Sequence, residues 1–238
     1  MLANYSHVAR EPSGEDSDYD RRSLMRDQFV PAEPLSESLA YRGVKRLADV
    51  TVALTAVAVF SPIFLIVSIL IFLEDKGPIL YRQPRIGRFG VPFWFYKFRS
   101  MRLDADRLRE ELLKSSDTEG AAFKMKNDPR VTRIGRTIRK FSIDEMPQLF
   151  SVLAGHMSIV GPRPHLKSEV ATYAPEEHER LFVKPGLLCL REIRGRSHLS
   201  FEQWILFDLE YVQNRSLWLD AKIFLLAIPA VIKGEGAY

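Results

Sequence analysis

Two adjacent carboxylates, Asp144 and Glu145, are the side chains of this sequence best placed to do chemistry. They lie near the start of the stretch SIDEMPQLFSVLAGHMSIVGPRP, which begins at Ser142 and contains Arg163 in its closing turn. An Asp in this position could bind Mg²⁺, act as a base, or attack phosphorus to form an acyl phosphate. Attack requires neutralisation of the phosphate charge, which Arg139, Arg163 and a bridging divalent ion could supply. The residues by themselves leave all three roles open.

The same stretch also has a purely structural interpretation as the start of a helix. Ser142 and Glu145 have the spacing of a capping box, in which Ser142 accepts from the backbone of residue 145 and Glu145 reaches back. Alternatively, Asp144 caps the helix and places Pro147 in its first turn. In both cases the carboxylates lie at the positive end of a helix, where phosphate also binds. The apolar residues that this helix would carry into the core are Leu149, Phe150, Val152 and Leu153.

Arginines recur at every third position in RVTRIGRTIRK, shortly before the carboxylates. The recurring positions are Arg130, Arg133, Arg136 and Arg139. On a helix this spacing makes a cationic stripe that suits phosphates or anionic lipid headgroups. Charge alone would also fit nucleic acid, but no recognisable nucleic-acid-binding motif accompanies the stripe, so no nucleic-acid partner is predicted.

Charge is unevenly distributed along the 238 residues. Residues 1–40 carry four Arg against eight Asp or Glu, a balance of −4, so the net charge of +4 leaves +8 for residues 41–238. The first segment lacks an apolar period and is predicted to be a disordered tail, and its acidic residues do not fit a signal peptide. With 46% apolar residues, the chain can form a core. Cys189 is the single cysteine, which excludes an internal disulfide and favours a cytosolic location.

Twenty-four residues without a charge run from Val50 to Leu73, enough for a helix to cross a bilayer. Pro62, at the middle of this run, should bend such a helix, and the Ser61 hydroxyl is a candidate partner for a backbone group that the proline leaves free. Basic residues on both sides of the run favour the cytoplasm for both ends. They are Arg42, Lys45 and Arg46 before the run and Lys76, Arg82, Arg85 and Arg88 after it. A re-entrant helical hairpin and a kinked transmembrane helix are both compatible with the run.

Two short β-prone runs follow and flank a turn at Gly87 and Gly90, which predicts a β-hairpin. Lys97 and Arg99, two residues apart, should point to one side of its second strand. They could serve an active site or be solvated or lipid-facing cations.

The rest of the chain predicts helices and therefore a small α+β, mainly helical fold. Residues 103–116 have the mixed charge of a solvated helix, and residues 201–214 form a second helix with Asp208 and Tyr211 directed inward or near the site. The apolar run 217–232 is interrupted by charges and a proline, so it should pack on the core or lie along an interface.

Several motifs in a fixed order give the chain a resemblance to a known family. The order is KR-x-x-D at 45–49, the apolar run split by Ser-Pro, KFRSM, the stretch DEMPQLFSVLAGHMSIVGPRP, KPG from Lys184, and RGR followed by D-x-x-YVQN-x-S. In this order they resemble the bacterial sugar transferases, the monotopic phosphoglycosyl transferases. The resemblance runs from about Lys45 to Tyr238 and leaves out only the tail.

The resemblance implies an enzyme that transfers a phosphosugar from a UDP-sugar to polyprenyl phosphate and releases UMP. This reaction would be the first membrane step of exopolysaccharide or other glycoconjugate synthesis, on the cytoplasmic face of the bacterial inner membrane. The implied partners are the two substrates, membrane lipids and downstream glycosyltransferases, and the implied cofactor is Mg²⁺.

Individual residues take roles through the same resemblance. Asp144 would be the nucleophile, forming a covalent aspartyl-phosphosugar intermediate, and would also contact Mg²⁺, with Glu145 as its partner. The residues expected to hold phosphate groups are Lys97, Arg99, Arg139, Arg163 and Arg196. Ser61 and Pro62 would mark the break of a re-entrant membrane helix within residues 41–75, ahead of a catalytic domain at 76–238.

The sequence departs from the family pattern in two places. His156 stands where the family commonly has Asp, and PGLLCLRE replaces the usual PGITG-x-x-Q, with changes at Leu188, Cys189 and Glu192. These departures raise an alternative, a catalytically silent relative that binds polyprenyl phosphate or partner enzymes. The intact Asp144, Glu145 and Arg163 favour the enzyme.

Overall fold

A computed structural model describes residues 38–105, 107–108, 128–194 and 200–233, with side chains described as far as residue 229. Three predicted features lie outside these residues. They are the tail up to residue 37, most of the helix predicted at 103–116, and Arg196.

Helix α1 spans Leu39–Asp75 and contains the whole uncharged run. The Ser38 hydroxyl caps its start by accepting from Tyr41 N at 3.1 Å, and Lys76, in a left-handed conformation (φ 56°), ends it. Pro62 has no N–H to donate to Ala58 O, and the Ser61 hydroxyl donates to that oxygen at 2.8 Å instead. The predicted bond from Ser61 to a backbone group left free by Pro62 is therefore confirmed, whereas its role as a hairpin break stays a prediction.

The chain stays helical through Ser61 and Pro62, so residues 39–75 contain no hairpin turn, and the re-entrant hairpin stays a prediction. By length and composition α1 could cross a membrane. Its most apolar 18-residue window has a mean hydropathy of 2.8, and only 11% of that window is buried.

Strands β1 (Leu80–Ile86) and β2 (Pro92–Phe98) form the predicted antiparallel hairpin, joined through a short 3₁₀ turn at Arg88–Gly90. Phe93 and Phe95 of β2 are buried in the core, whereas Trp94 between them is 44% exposed. The protein therefore covers one face of this aromatic strand and leaves part of the other open.

Helix α2 spans Arg133–Lys140, and the Thr132 hydroxyl caps it by accepting from Gly135 N at 2.9 Å. Arg130 precedes the helix, is buried, and pairs with Asp128 at 2.6 Å. The predicted stripe of four arginines is therefore wrong at its first position, because Arg130 lies outside the helix and is held by a carboxylate two residues away.

The remaining elements follow in the order α3 (Gln148–Leu153), β3 (Ser158–Val160), α4 (Lys167–Val170), β4 (Gly186–Leu188), α5 (Phe201–Asn214) and α6 (Leu217–Lys233). Strands β3 and β4 pair in parallel. The predicted helix at 201–214 is confirmed, as is the mainly helical α+β class. The apolar run 217–232, predicted to pack on the core or lie along an interface, lies in α6 and packs on the core through Ile223. Asp208 and Tyr211 are both buried, as predicted.

The main core joins α1, β2, α3, β3, α5 and α6. Its buried members are Ala53, Phe93, Phe95, Leu149, Val152, Met157, Ile159, Val160, Val183, Leu190, Tyr211, Val212 and Ile223. Phe150, predicted to enter this core, is 51% exposed, because the short helix α3 buries only the face that carries Leu149 and Val152.

The N-terminal part of α1 is held against this core by residues of the KR-x-x-D motif at 45–49. Lys45 Nζ donates to Asp220 at 2.7 Å and to Val160 O at 3.1 Å. Asp49 accepts from Ser158 Oγ and from the N–H of residue 159, both at 2.9 Å. The motif therefore holds the helix against β3 and α6.

The C-terminal end of α1 also contacts the globular part of the protein. Glu74 accepts hydrogen bonds from the N–H groups of Arg133 at 3.0 Å and Ile134 at 3.4 Å, at the start of α2. Asp75 pairs with the Arg99 guanidinium. Both ends of the apolar helix thus contact one globular body.

Candidate active site

The two carboxylates lie in a 3₁₀ turn, Ile143–Glu145, between α2 and α3. Ser142 adopts a left-handed conformation (φ 54°) and makes no side-chain cap. Helix α3 starts only after Pro147, again without a side-chain cap. Both capping predictions are therefore wrong, because the Glu145 side chain bonds to Arg163 instead of the backbone of Ser142.

Glu145 and Arg163 form a two-pronged salt bridge. Arg163 Nη1 donates to Glu145 Oε2 at 2.9 Å, and Nη2 donates to Oε1. Burial by itself raises the pKa of Glu145, but the charge and hydrogen bonds of Arg163 outweigh it and lower that pKa to about 2. Glu145 is therefore ionised at neutral pH.

Asp144 is 7% exposed and has no hydrogen bond or salt bridge to any residue that the structure describes. Burial, and then the neighbouring charge of Glu145, raise its pKa to about 6. Lys97, Arg139 and Arg163 act in the opposite direction. These three predicted cations are thus brought together around Asp144, which is mostly ionised at neutral pH.

Three different elements supply the cations. Lys97 comes from β2, Arg139 from the last turn of α2, and Arg163 from the loop after β3. The loop that carries Arg163 packs directly on β4, where a Cβ added to Gly186 would lie 2.1 Å from Gly161 N. A side chain at Gly186 would therefore displace the loop that positions Arg163.

Other predicted residues lie elsewhere. Arg99 is 8% exposed and pairs with Asp75, so its charge is directed to the end of α1 and not to the carboxylate turn. Ser61 and Pro62 lie within α1. Phosphate binding by Arg99, and by Arg196 outside the described residues, stays a prediction.

The family model for bacterial sugar transferases matches residues 40–234. This chain belongs to the bacterial sugar transferase family. It is 42% identical over 196 residues to the galactosyl transferase CpsE of Streptococcus agalactiae, covering 81% of this chain and 43% of that protein. It is 38% identical over 221 residues to the exopolysaccharide production protein ExoY of Rhizobium meliloti, covering 91% of this chain and 98% of that protein.

A third relative is the UDP-glucose:undecaprenyl-phosphate glucose-1-phosphate transferase of Caulobacter vibrioides. It is 40% identical over 202 residues, which cover 82% of this chain and 72% of that protein. The chain therefore spans less than half the length of CpsE but nearly all of ExoY.

In this family member, Arg180 supports the site, although it was not predicted from the sequence. Arg180 is 2% exposed, pairs with Asp208, and donates to the backbone oxygen of Arg163 at 2.8 Å. The buried ion pair thereby ties α5 to the residue that holds Glu145. The inward position predicted for Asp208 was the one signal in the sequence that could have located this pair.

His165 and Tyr173 complete the surroundings of Arg180. Arg180 Nη1 donates to His165 Nδ1 at 2.5 Å, and Tyr173 Oη lies 2.6 Å from the same nitrogen. Burial first, and then the charge of Arg180, hold the pKa of His165 well below its usual value. The imidazole is therefore neutral and acts as a buried acceptor.

The departures from the family pattern have separate surroundings. His156 is exposed and stacks on Phe93, with ring centroids 6.0 Å apart. Cys189 is buried, which raises the pKa of its thiol to about 12, and its Sγ contacts Glu192 Oε1 at 3.7 Å. The thiol is therefore unreactive at neutral pH.

A metal ion in this family member would have few protein ligands. Within the described residues, no three His, Cys, Asp or Glu side chains come together. Glu145 is occupied by Arg163, which leaves Asp144 as the available carboxylate. Mg²⁺ commonly uses one or two carboxylates together with substrate phosphates and water, so a site completed by substrate fits these residues.

Proposed function

We propose that this chain transfers a phosphosugar from a UDP-sugar to polyprenyl phosphate, through a covalent aspartyl intermediate. The observation that carries the proposal is the state of Asp144, a buried carboxylate without a salt bridge, next to Lys97, Arg139 and Arg163. The family relation supports it, since the Caulobacter relative is named for transfer of glucose 1-phosphate from UDP-glucose to undecaprenyl phosphate.

In the first step an Asp144 carboxylate oxygen attacks the sugar-bearing phosphorus of the UDP-sugar. A carboxylate oxygen–phosphorus bond forms, and the bond between this phosphorus and the bridging oxygen breaks. The bridging oxygen leaves with UMP and takes up the electron pair. Asp144 is then a mixed anhydride of aspartate and sugar phosphate.

In the second step a phosphate oxygen of polyprenyl phosphate attacks the same phosphorus. The bond from phosphorus to Asp144 breaks, so the carboxylate is restored and polyprenyl diphosphate sugar is released. No proton needs to be removed from the acceptor, because its phosphate is already ionised at neutral pH. A dedicated general base is therefore unnecessary.

The surrounding cations account for the electrostatics of both steps. Lys97 and Arg139 lie close enough to Asp144 to lower its pKa and can neutralise the phosphate that it attacks. Arg163 is held by Glu145, so its guanidinium is oriented before substrate arrives. Glu145 is thus assigned a positioning role.

Mg²⁺ is part of the proposal, with Asp144 as its protein ligand. When bound, the ion would neutralise charge on the diphosphate. The protein residues orient the attacking carboxylate and hold the phosphate oxygens.

We also propose that the catalytic body stays on one side of the membrane, the cytoplasmic face of the bacterial inner membrane. Support comes from α1, whose two ends both bind this body, through Asp49 at one end and Glu74 at the other. A helix that crossed the bilayer would separate these ends. The exposed apolar residues between them are Leu54, Val59, Phe60, Ile63, Leu65, Ile66, Ile69, Leu70, Phe72 and Leu73.

The decisive experiment uses purified protein in detergent or nanodiscs with a panel of UDP-sugars. UMP release is expected only with Mg²⁺ and polyprenyl phosphate, and intact-mass measurement should find a phosphosugar adduct on the chain. Asp144→Asn should remove both signals, with a loss of at least about 10³-fold in rate. Unchanged UMP release in this variant would eliminate Asp144 as nucleophile.

The same panel separates the enzyme from a silent relative. Binding of polyprenyl phosphate without UMP release from any UDP-sugar would favour the silent relative. For membrane placement, tags near residues 50 and 73 should be reachable from the cytoplasm alone, and labelling from opposite sides would exclude the re-entrant arrangement.

A further inference from the structure

A second group of basic side chains lies around the turn at Gly155. This turn follows the C-terminal end of α3, whereas the two carboxylates precede its N-terminal end. A Cβ placed on Gly155 would lie 3.7 Å from Arg46 Nη2 and 3.7 Å from Lys184 Nζ. The two side chains therefore converge on one point of the surface. Gly155 itself has a positive φ of 86°, which favours glycine and leaves this point open.

Lys184 has no hydrogen bond or salt bridge to any side chain or backbone group within the described parts of the chain. It is half-buried, and burial followed by the charge of Arg46 lowers its pKa. Arg88 and Arg42 add smaller effects of the same sign. An anion bound here would offset this crowding of positive charge.

One nearby acidic group, Asp49, offsets the positive charge around Lys184 only in part. Asp49 is the acidic residue whose charge acts on Lys184, and its Oδ1 already accepts from Ser158 Oγ and from the N–H of residue 159. Arg46 donates to Val152 O at 2.6 Å and Leu153 O at 2.7 Å. These are neutral acceptors, so Asp49 offsets only part of the positive charge that Arg46 and Lys184 carry together.

The cluster lies at the base of the apolar helix. Arg42 and Arg46 are one helical turn apart in α1, and the uncharged run begins four residues after Arg46. Trp218, 77% exposed, lies two residues before Asp220, which binds Lys45 in the same part of α1. Basic and tryptophan side chains at the edge of an apolar segment occupy the headgroup layer of a bilayer.

We propose that Arg46 and Lys184, beside the turn at Gly155, bind the phosphate of an anionic phospholipid headgroup. Arg42 and Arg88 add long-range attraction. The phosphate occupies the point on which the two side chains converge, and the acyl chains lie along the exposed apolar face of α1. The inference rests on the proposed membrane placement and is independent of the proposed catalytic step.

His156, the residue after Gly155, supplies a sharp test. Its side chain is exposed. A carboxylate introduced by His156→Asp would compete with the lipid phosphate for Arg46 and Lys184, whereas His156→Ala would remove the ring without adding charge. The two variants therefore separate the effect of charge from the loss of the stack on Phe93.

The test measures lipid adducts on the full chain by native mass spectrometry, during titration with phosphatidylglycerol or phosphatidylcholine in detergent. Wild type should retain phosphatidylglycerol selectively. Lys184→Gln should weaken that binding about fivefold, as expected for one basic residue at an anionic surface, and His156→Asp should weaken it by at least as much. Phosphatidylcholine binding and His156→Ala should stay close to wild type.

Arg102→Gln is the matched control, because it removes one positive charge from an exposed side chain paired only with Asp104 in its described surroundings. An equal loss of selectivity in Arg102→Gln would overturn the proposal in favour of non-specific attraction. Displacement of phosphatidylglycerol by inorganic phosphate at equal concentration would also overturn it, because the ligand would then be phosphate itself.

UMP release in detergent, measured on the same samples, separates this inference from the proposed function. Lys184→Gln should release UMP at the wild-type rate. Selective phosphatidylglycerol binding without UMP release from any UDP-sugar would remove the catalytic proposal and leave the lipid site standing. UMP release without lipid selectivity would remove the lipid site and leave the catalytic proposal standing.

Discussion

The two ends of α3 carry cations in opposite electrostatic situations. Before its first residue, Arg163 is matched by Glu145, and Lys97 and Arg139 face Asp144. After its last residue, Lys184 and Arg46 converge at Gly155, and neither forms a salt bridge with a residue that the structure describes. In the first region a salt bridge fixes one cation before any ligand arrives, whereas in the second region neither cation is held by a carboxylate of the described residues.

The first region can therefore hold its groups in place before substrate binds, whereas the second can only attract an anion. In the first region, a salt bridge fixes the geometry of Arg163, and burial together with the adjacent negative charge of Glu145 raises the pKa of Asp144 to about 6. Such a region can orient a reacting group within a fraction of an ångström. In the second region, no contact fixes Lys184, so it can follow a mobile headgroup.

Arg163→Gln should have the largest effect, because it removes the cation that the salt bridge to Glu145 orients. We expect kcat/KM for UMP release to fall by about 10²–10³-fold, a loss typical of one preorganised donor to a developing charge. Arg102→Gln should stay near the wild-type rate. A loss of less than threefold in Arg163→Gln would show that the salt bridge between Arg163 and Glu145 does not serve catalysis.

Asp208→Asn tests the support behind Arg163. It leaves the buried Arg180 without its carboxylate, so the free energy of unfolding should fall by about 3–5 kcal/mol. Glu210→Gln, on the same helix, breaks the exposed pair with Arg194 and should cost no more than about 1 kcal/mol. Chemical denaturation in detergent measures both, and equal losses would contradict a special role for the buried pair.

The pH profile tests the coupling between Asp144 and Glu145. Because the pKa of Asp144 is raised to about 6, kcat/KM should rise tenfold per pH unit below that value and level off above it. Glu145→Gln removes the neighbouring negative charge and should shift this acidic limb to lower pH. A limb that stays at the same pH would show that Glu145 does not act on Asp144.

The smallest effect is expected at the second region. Lys184→Gln removes a cation crowded by Arg46 and should change the free energy of unfolding by no more than about 0.5 kcal/mol, towards greater stability. The measurement is a denaturation curve in detergent without anionic lipid. A clear loss of stability would indicate that Lys184 has a structural partner, and the contrast between the regions would weaken.

Local patterns predicted several elements correctly. The β-hairpin around Gly87 and Gly90, and the helix at 201–214, depend on short-range turn chemistry and periodicity. The bond from Ser61 to the oxygen that Pro62 leaves free spans one helical turn. These contacts are encoded within a few residues and can be read without the fold.

Predictions failed where a distant residue outweighed a local preference. Glu145 had a capping-box partner three residues away, but Arg163 offers a charged, two-pronged contact from eighteen residues away. Charged hydrogen bonds are roughly twice as strong as neutral ones, so the salt bridge displaces the cap. Arg180 escaped prediction because no sequence spacing indicates its contact with Arg163 O.

By itself, the sequence determined the carboxylate pair, the apolar helix with its central proline, the β-hairpin and the family. These depend on residue type and short spacing. Only the tertiary structure decided that Lys97, Arg139 and Arg163 meet at Asp144, and that Arg46 and Lys184 meet at Gly155. Burial and charge balance set the behaviour of both groups, and both quantities depend on which distant segments pack together.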